Sequence, residues 1–88
     1  FIGIGGIGVS ALAQYFLSIG HDVSGSDLVS SEITQDLEKK GVKIFLGKHI
    51  KDNLKKDVSL VVYSPAVTKD NPEFKEAKRR KILLHSKP

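Results

Sequence analysis

The chain contains no cysteine. A disulfide framework and all thiolate chemistry are therefore excluded, and a reducing cytoplasm is the compartment that fits. No apolar run approaches the roughly 20 residues that a membrane-spanning helix needs. The first residues lack the charged stretch that opens a signal peptide. The expectation is a protein with no membrane partner. It opens on Phe1 rather than methionine, inside a hydrophobic run, and stops at Lys87-Pro88, so it reads as a piece of a longer protein.

Other absences narrow the chemistry. There is no Ser-His-Asp or Cys-His set and no carboxylate pair that suggests hydrolysis. His21 and His85 have no partners at metal-ligand spacing. The basic residues are scattered without aromatic interleaving, and no DNA-reading motif is present, so a nucleic-acid partner is not expected. Fourteen Lys and Arg against ten Asp and Glu leave a net charge of +4. The excess lies in Lys39-Lys40, Lys55-Lys56 and Lys78-Arg79-Arg80-Lys81. These read first as solvated helix faces, and their sign suits an anionic ligand.

What is present is an alternation of short apolar runs and amphipathic stretches, on a length that allows one small domain, 1–88. Phe1 to Ile4 reads as a buried strand ending in glycines. Val9, Leu12, Ala13, Phe16 and Leu17 recur at helical spacing, and Gly20 stops that helix. Asp22 to Ser26 is a weak second strand. Ser30 and Ser31 can cap a helix from Glu32 to Lys40, ended by Gly41. Val42 to Leu46 is a third strand, and Gly47 to Asp57 a polar connection with a helical turn near Asp52 to Leu54. Val58 to Tyr63 has the continuous apolar character of a central strand. Asn71-Pro72-Glu73 opens a third helix, and Ile82 to Leu84 is a fifth strand. The fold class is α/β. It is expected as a Rossmann-like doubly wound sheet of about five parallel strands, order 3-2-1-4-5, with helices on both faces.

Gly3, Gly5 and Gly8 fit G-x-G-x-x-G between the first strand and the first helix. A first glycine permits the tight turn, a second lets backbone approach phosphates, and a third lets helix and strand pack closely. Amides of the first helical turn then face an anion along the helix dipole. Gly6 makes the loop more permissive, and Ser10 offers a hydroxyl. The alternative is a tight turn without a ligand. Asp27, near the end of the second strand, is placed to accept from sugar hydroxyls or a base N–H, or else to cap the following loop. Ser64-Pro65-Ala66 flanks the topological switch point or is a plain turn. His49 can reach a base edge or lie exposed, and Asn71 reads as a helix cap.

Phe1-Ile2-Gly3-Ile4-Gly5-Gly6-Ile7-Gly8 followed by Ser10-Ala11-Leu12-Ala13 resembles the start of the Mur ligases of peptidoglycan synthesis. Ser24-Gly25-Ser26-Asp27, Ser64-Pro65-Ala66-Val67 and Asp70-Asn71-Pro72-Glu73 match further segments in order. Gly47 to Leu54 resembles the family's polar connection, which usually carries Gly-His, but here Lys48 separates Gly47 from His49. Val9 stands where the family commonly has Met. The resemblance implies the first domain of a three-domain bacterial cytoplasmic enzyme, the one that binds the UDP part of UDP-N-acetylmuramate. It implies ATP and Mg²⁺ as cofactors of the whole enzyme, bound by an absent domain, and L-alanine as the incoming amine. No G-x-x-x-x-G-K-[ST] sequence occurs here, so this piece is expected to form no amide bond alone. Carried over, the resemblance puts the diphosphate on Gly5, Gly6, Ile7 and Gly8. It puts uridine near Asp27 and Leu28, with Ser64, Pro65 and Ala66 on the other side. A nicotinamide-dinucleotide module uses the same loop physics and is the alternative.

Overall fold

Residues 1–88 are described by a computed structural model. Helix α1, Ile7–Ser18, begins where the glycines end and buries Val9, Ser10 and Ala13. Its stop is a left-handed Gly20 at φ +97, with the His21 amide donating to the Phe16 carbonyl at 3.1 Å. Only a residue without a Cβ takes that conformation at no steric cost. Strand β1 is Ser24–Asp27 and helix α2 is Glu32–Lys39. Ser31 caps α2 in a reciprocal box: its hydroxyl accepts from the Thr34 amide at 3.2 Å, and its own amide donates to Thr34 Oγ1 at 2.9 Å. Strand β2, Lys43–Leu46, leads to a 3₁₀ turn at Lys51–Asn53. Strand β3 is Leu60–Tyr63, helix α3 is Pro72–Arg79 and strand β4 is Leu83–Ser86. Asn71 caps α3, its Oδ1 accepting from the Glu73 amide at 2.9 Å, as expected from Asn-Pro-Glu.

The parallel α/β arrangement is present with four strands in two parallel pairs, β1 with β2 and β3 with β4, in place of five. The Phe1–Ile4 run forms no strand. Ile2 alone makes isolated parallel bridges, to Ser26 on one side and Tyr63 on the other. The cause is the turn immediately after it. Gly3 is left-handed at φ +77, and the Gly3 and Ile4 amides both donate to the Ser26 carbonyl, at 2.9 and 3.0 Å. A chain that bends so soon cannot continue a ladder. Hydrogen bonds still tie the run to both pairs: Ile2 donates to Val62 O at 2.9 Å, and Ser26 donates to Phe1 O at 2.9 Å.

The core divides in two. Ile2, Leu54, Val61, Phe74 and Ala77 pack under α3. Ile4, Ala13, Val23, Leu37 and Val42 pack under α1 and α2. Val23, just before β1, and Ser26 within it have opposite parity along the extended chain, so Val23 joins the second cluster while Ser26 reaches α3. Parallel pairing sends the C-terminal ends of β1 and β3 to the edge where the glycine loop turns.

Candidate functional site

At that edge the first turn of α1 is capped by backbone alone. Gly6 is the N-cap, extended at φ −67 and ψ 149, with no side chain to accept from the helix. The Gly6 amide donates back to Gly3 O at 3.2 Å, and the Ser10 amide donates to Gly6 O at 2.8 Å. The amides of Ile7, Gly8 and Val9, between them, have no hydrogen-bond partner. No acidic residue lies in the first turn. Three free donors at the positive end of a twelve-residue helix make a place for an anion. Ile7 is 82% exposed, whereas Val9 is buried and the Pro88 carbonyl packs against Gly8. Two depressions lie elsewhere, one between Phe1, Val23 and Leu60 and the other between α1 and α2.

Each glycine of the motif has a neighbour that explains it. A Cβ on Gly3 would lie 3.0 Å from Ser64 Cβ, so the Ser64 turn is brought directly against the loop. A Cβ on Gly5 would lie 2.6 Å from Asp27 Oδ2. Gly8 was expected to admit a strand; what a Cβ there would strike is the carbonyl of Pro88, in the segment after β4. A Cβ on Gly6 would meet nothing nearer than Gly3 O at 3.6 Å, so the protein itself makes no demand for glycine there.

Asp27 faces the loop. Its Oδ2 accepts from the Gly5 amide at 2.7 Å and its Oδ1 from the Leu28 amide at 2.8 Å. The carboxylate thus clamps the loop, while each oxygen keeps a second lone pair. Leu28 is exposed beside it. Pro65 and Ala66 are exposed, and the Ser64 hydroxyl accepts from the Ala66 amide at 3.3 Å. Two placements depart from expectation. Ser10 is buried and its hydroxyl donates to Ile7 O at 3.0 Å, a local bond within its own helix. His49, with an exposed position in view, has a side chain only 13% exposed.

The partner of His49 escaped the sequence. Its Nδ1 lies 2.7 Å from Glu73 Oε2 and 3.2 Å from Ser26 Oγ. Ser26 donates to Glu73 Oε1 at 2.6 Å, and Asn53 donates to Oε2 at 3.0 Å. Glu73 is 3% exposed. Its place in the first turn of α3 accounts for the charge sign but not for burial. The signal was Ser26, a polar residue at an inward strand position. Lys87 and Pro88 also went unremarked: the Lys87 Cε lies 3.9 Å from where a Gly8 Cβ would stand, and the Pro88 carbonyl lies closer still. A basic residue just beyond the last strand, at the same sheet edge, was the signal for Lys87.

The family model described as "Mur ligase family, catalytic domain" matches residues 1–87. A UDP-N-acetylmuramate–L-alanine ligase of Campylobacter jejuni is 55% identical over 87 residues, covering 99% of this chain and 20% of that protein. The enzyme of the same name from Acetivibrio thermocellus is 58% identical over 78 residues, covering 89% of this chain and 16% of that protein. The crystal structure of the UDP-N-acetylmuramate-alanine ligase of Thermotoga maritima superposes with a TM-score of 0.89 at 41% identity, over 98% of this chain and 20% of that one. The chain spans about a fifth of the length of the relatives it matches. With the same segments in the same order and the same fold around the glycine turn, the chain belongs to the Mur ligase family.

Proposed function

We propose that this chain is the UDP-N-acetylmuramate-binding domain of a bacterial, cytoplasmic, ATP-dependent ligase that joins L-alanine to that substrate in peptidoglycan synthesis. The observation that carries the reading is the unpaired trio of amides at Ile7, Gly8 and Val9, held beside Asp27 in a chain so similar to ligases of that name. The diphosphate accepts from this turn, with Gly5 and Gly6 allowing close approach and Lys87 adding charge. Uridine lies against Asp27 and Leu28, with the Ser64 to Ala66 turn on its far side. Asp27, already bound to two amides, holds the loop in shape and offers its remaining lone pairs to the nucleoside. The two strand pairs and the Ile2 segment together act as one doubly wound sheet, in the order β2, β1, the Ile2 segment, β3, β4, which sets the switch point at the glycine turn.

The chain has no P-loop lysine sequence. In this reading ATP, Mg²⁺ and activation of the muramyl carboxylate belong to other segments of the whole enzyme. No helix is long and apolar enough to cross a membrane. Parallel calorimetric titrations with UDP-N-acetylmuramate and NADH test the reading. Saturable binding of the UDP-sugar alone is expected, whereas binding of NADH alone would replace this reading with a dinucleotide module.

A further inference from the structure

We infer that Glu73 is a positioning residue for the nucleotide, acting through His49; the inference rests on the nucleotide-binding reading above. A carboxylate only accepts hydrogen bonds. The 2.7 Å contact between Glu73 Oε2 and His49 Nδ1 therefore puts the proton on Nδ1. In a neutral ring Nε2 is then a free acceptor. Nε2 makes no hydrogen bond, and no buried side-chain nitrogen or oxygen lacks a partner, so Nε2 reaches the surface. The place where it surfaces matters. His49 follows β2, whose last residue Leu46 pairs with Asp27, so the ring stands at the same C-terminal edge as the glycine turn.

Glu73 is well built for holding that ring. It receives three hydrogen bonds from three separate segments: Ser26 on β1, His49 in the polar connection and Asn53 in the 3₁₀ turn. It is itself anchored where Asn71 caps the start of α3. Ser26 and Asn53 satisfy the rest of the carboxylate, and His49 alone carries its influence outward. The ligand chemistry that suits a surface imidazole acceptor is a donor N–H or hydroxyl of a nucleoside.

The test combines nitrogen NMR of the histidine ring with calorimetry of UDP on the 88-residue chain. In the wild type, the neutral His49 ring should show the Nδ1–H tautomer, and its Nε2 resonance should move on adding UDP. Glu73→Ala should release the ring to the other tautomer and weaken UDP by up to about tenfold, the upper end for one neutral hydrogen bond. Glu73→Gln keeps an acceptor facing Nδ1 and should preserve both tautomer and affinity, which covers the case in which the alanine variant does not fold. In a His49→Ala background, Glu73→Ala should cost no further affinity. An Nε2–H tautomer in the wild type, an Nε2 resonance unmoved by UDP, or full UDP affinity in a folded Glu73→Ala chain would overturn the inference while leaving the nucleotide site standing. Failure of the wild type to bind UDP would overturn both.

Discussion

At the scale of single residues, Gly6 separates ligand demands from protein demands. Its backbone is in a region open to any residue, and an added Cβ would meet protein only at 3.6 Å. Gly6→Ala should therefore leave thermal unfolding nearly unchanged. If a diphosphate rests on the loop, the same methyl group should weaken UDP by more than about 1.4 kcal/mol, tenfold in Kd. Calorimetry and a melting curve on one sample read both effects. Gly5 is a poorer probe, because a Cβ there would strike the Asp27 clamp whatever the ligand does. Lys81 is the converse case. It takes the left-handed position after α3, at φ 59, that glycine fills after α1 and α2. Lys81→Gly should stabilise the chain by roughly 0.5–1 kcal/mol in urea denaturation, the relief of left-handed strain less the added freedom of the unfolded chain.

At the scale of elements, α3 is the most polar helix and the one whose interactions depend most on pH. Arg79 and Arg80 donate to Glu76 at 2.6 to 2.9 Å and hold its carboxyl down at about 2, from an ordinary 4.5. A depressed carboxyl contributes fully above its unfolded value and loses its contribution as pH falls toward the folded one. The stability difference between wild type and Glu76→Gln should thus be level well above 4.5, fall as pH drops below it, and vanish only once pH is below about 2. Urea midpoints across that range measure it. The caps behaved as their residue types dictate, since Ser31 and Asn71 both accept from the helices they precede. Phe1–Ile4 did not become a strand, because the same glycine that opens the site turns the chain after one bridge.

At the scale of the whole molecule, binding and chemistry should separate. UDP at a hundred times its Kd should add about 2.7 kcal/mol to unfolding stability. ATP with Mg²⁺ should add none, and no ATP turnover should accompany either; a thermal shift with ATP would show a site that the proposed function denies. The class, the helices with their caps and stops, and the glycine turn beside Asp27 were legible in the sequence. The placing of Asp27 rests on parallel strands ending at one sheet edge, and the rest on interactions between residues near in the chain or on a short periodicity. Placing Ser64 and Lys87 against the loop takes pairing across the sheet edge, where sequence reading supplied only the expectation for Ser64.

The sequence by itself determined that this is an α/β domain with an amide-rich turn between its first apolar run and its first helix, because glycine spacing and helical periodicity are local properties of the chain. Tertiary structure alone decided that Asp27 clamps Gly5, that Ser10 turns inward and that Glu73 gathers Ser26, His49 and Asn53. Those contacts join residues 20 or more positions apart, the Ser10 bond excepted. A carboxylate finds its donors through the packing of whole elements, and no spacing in the chain encodes that distance.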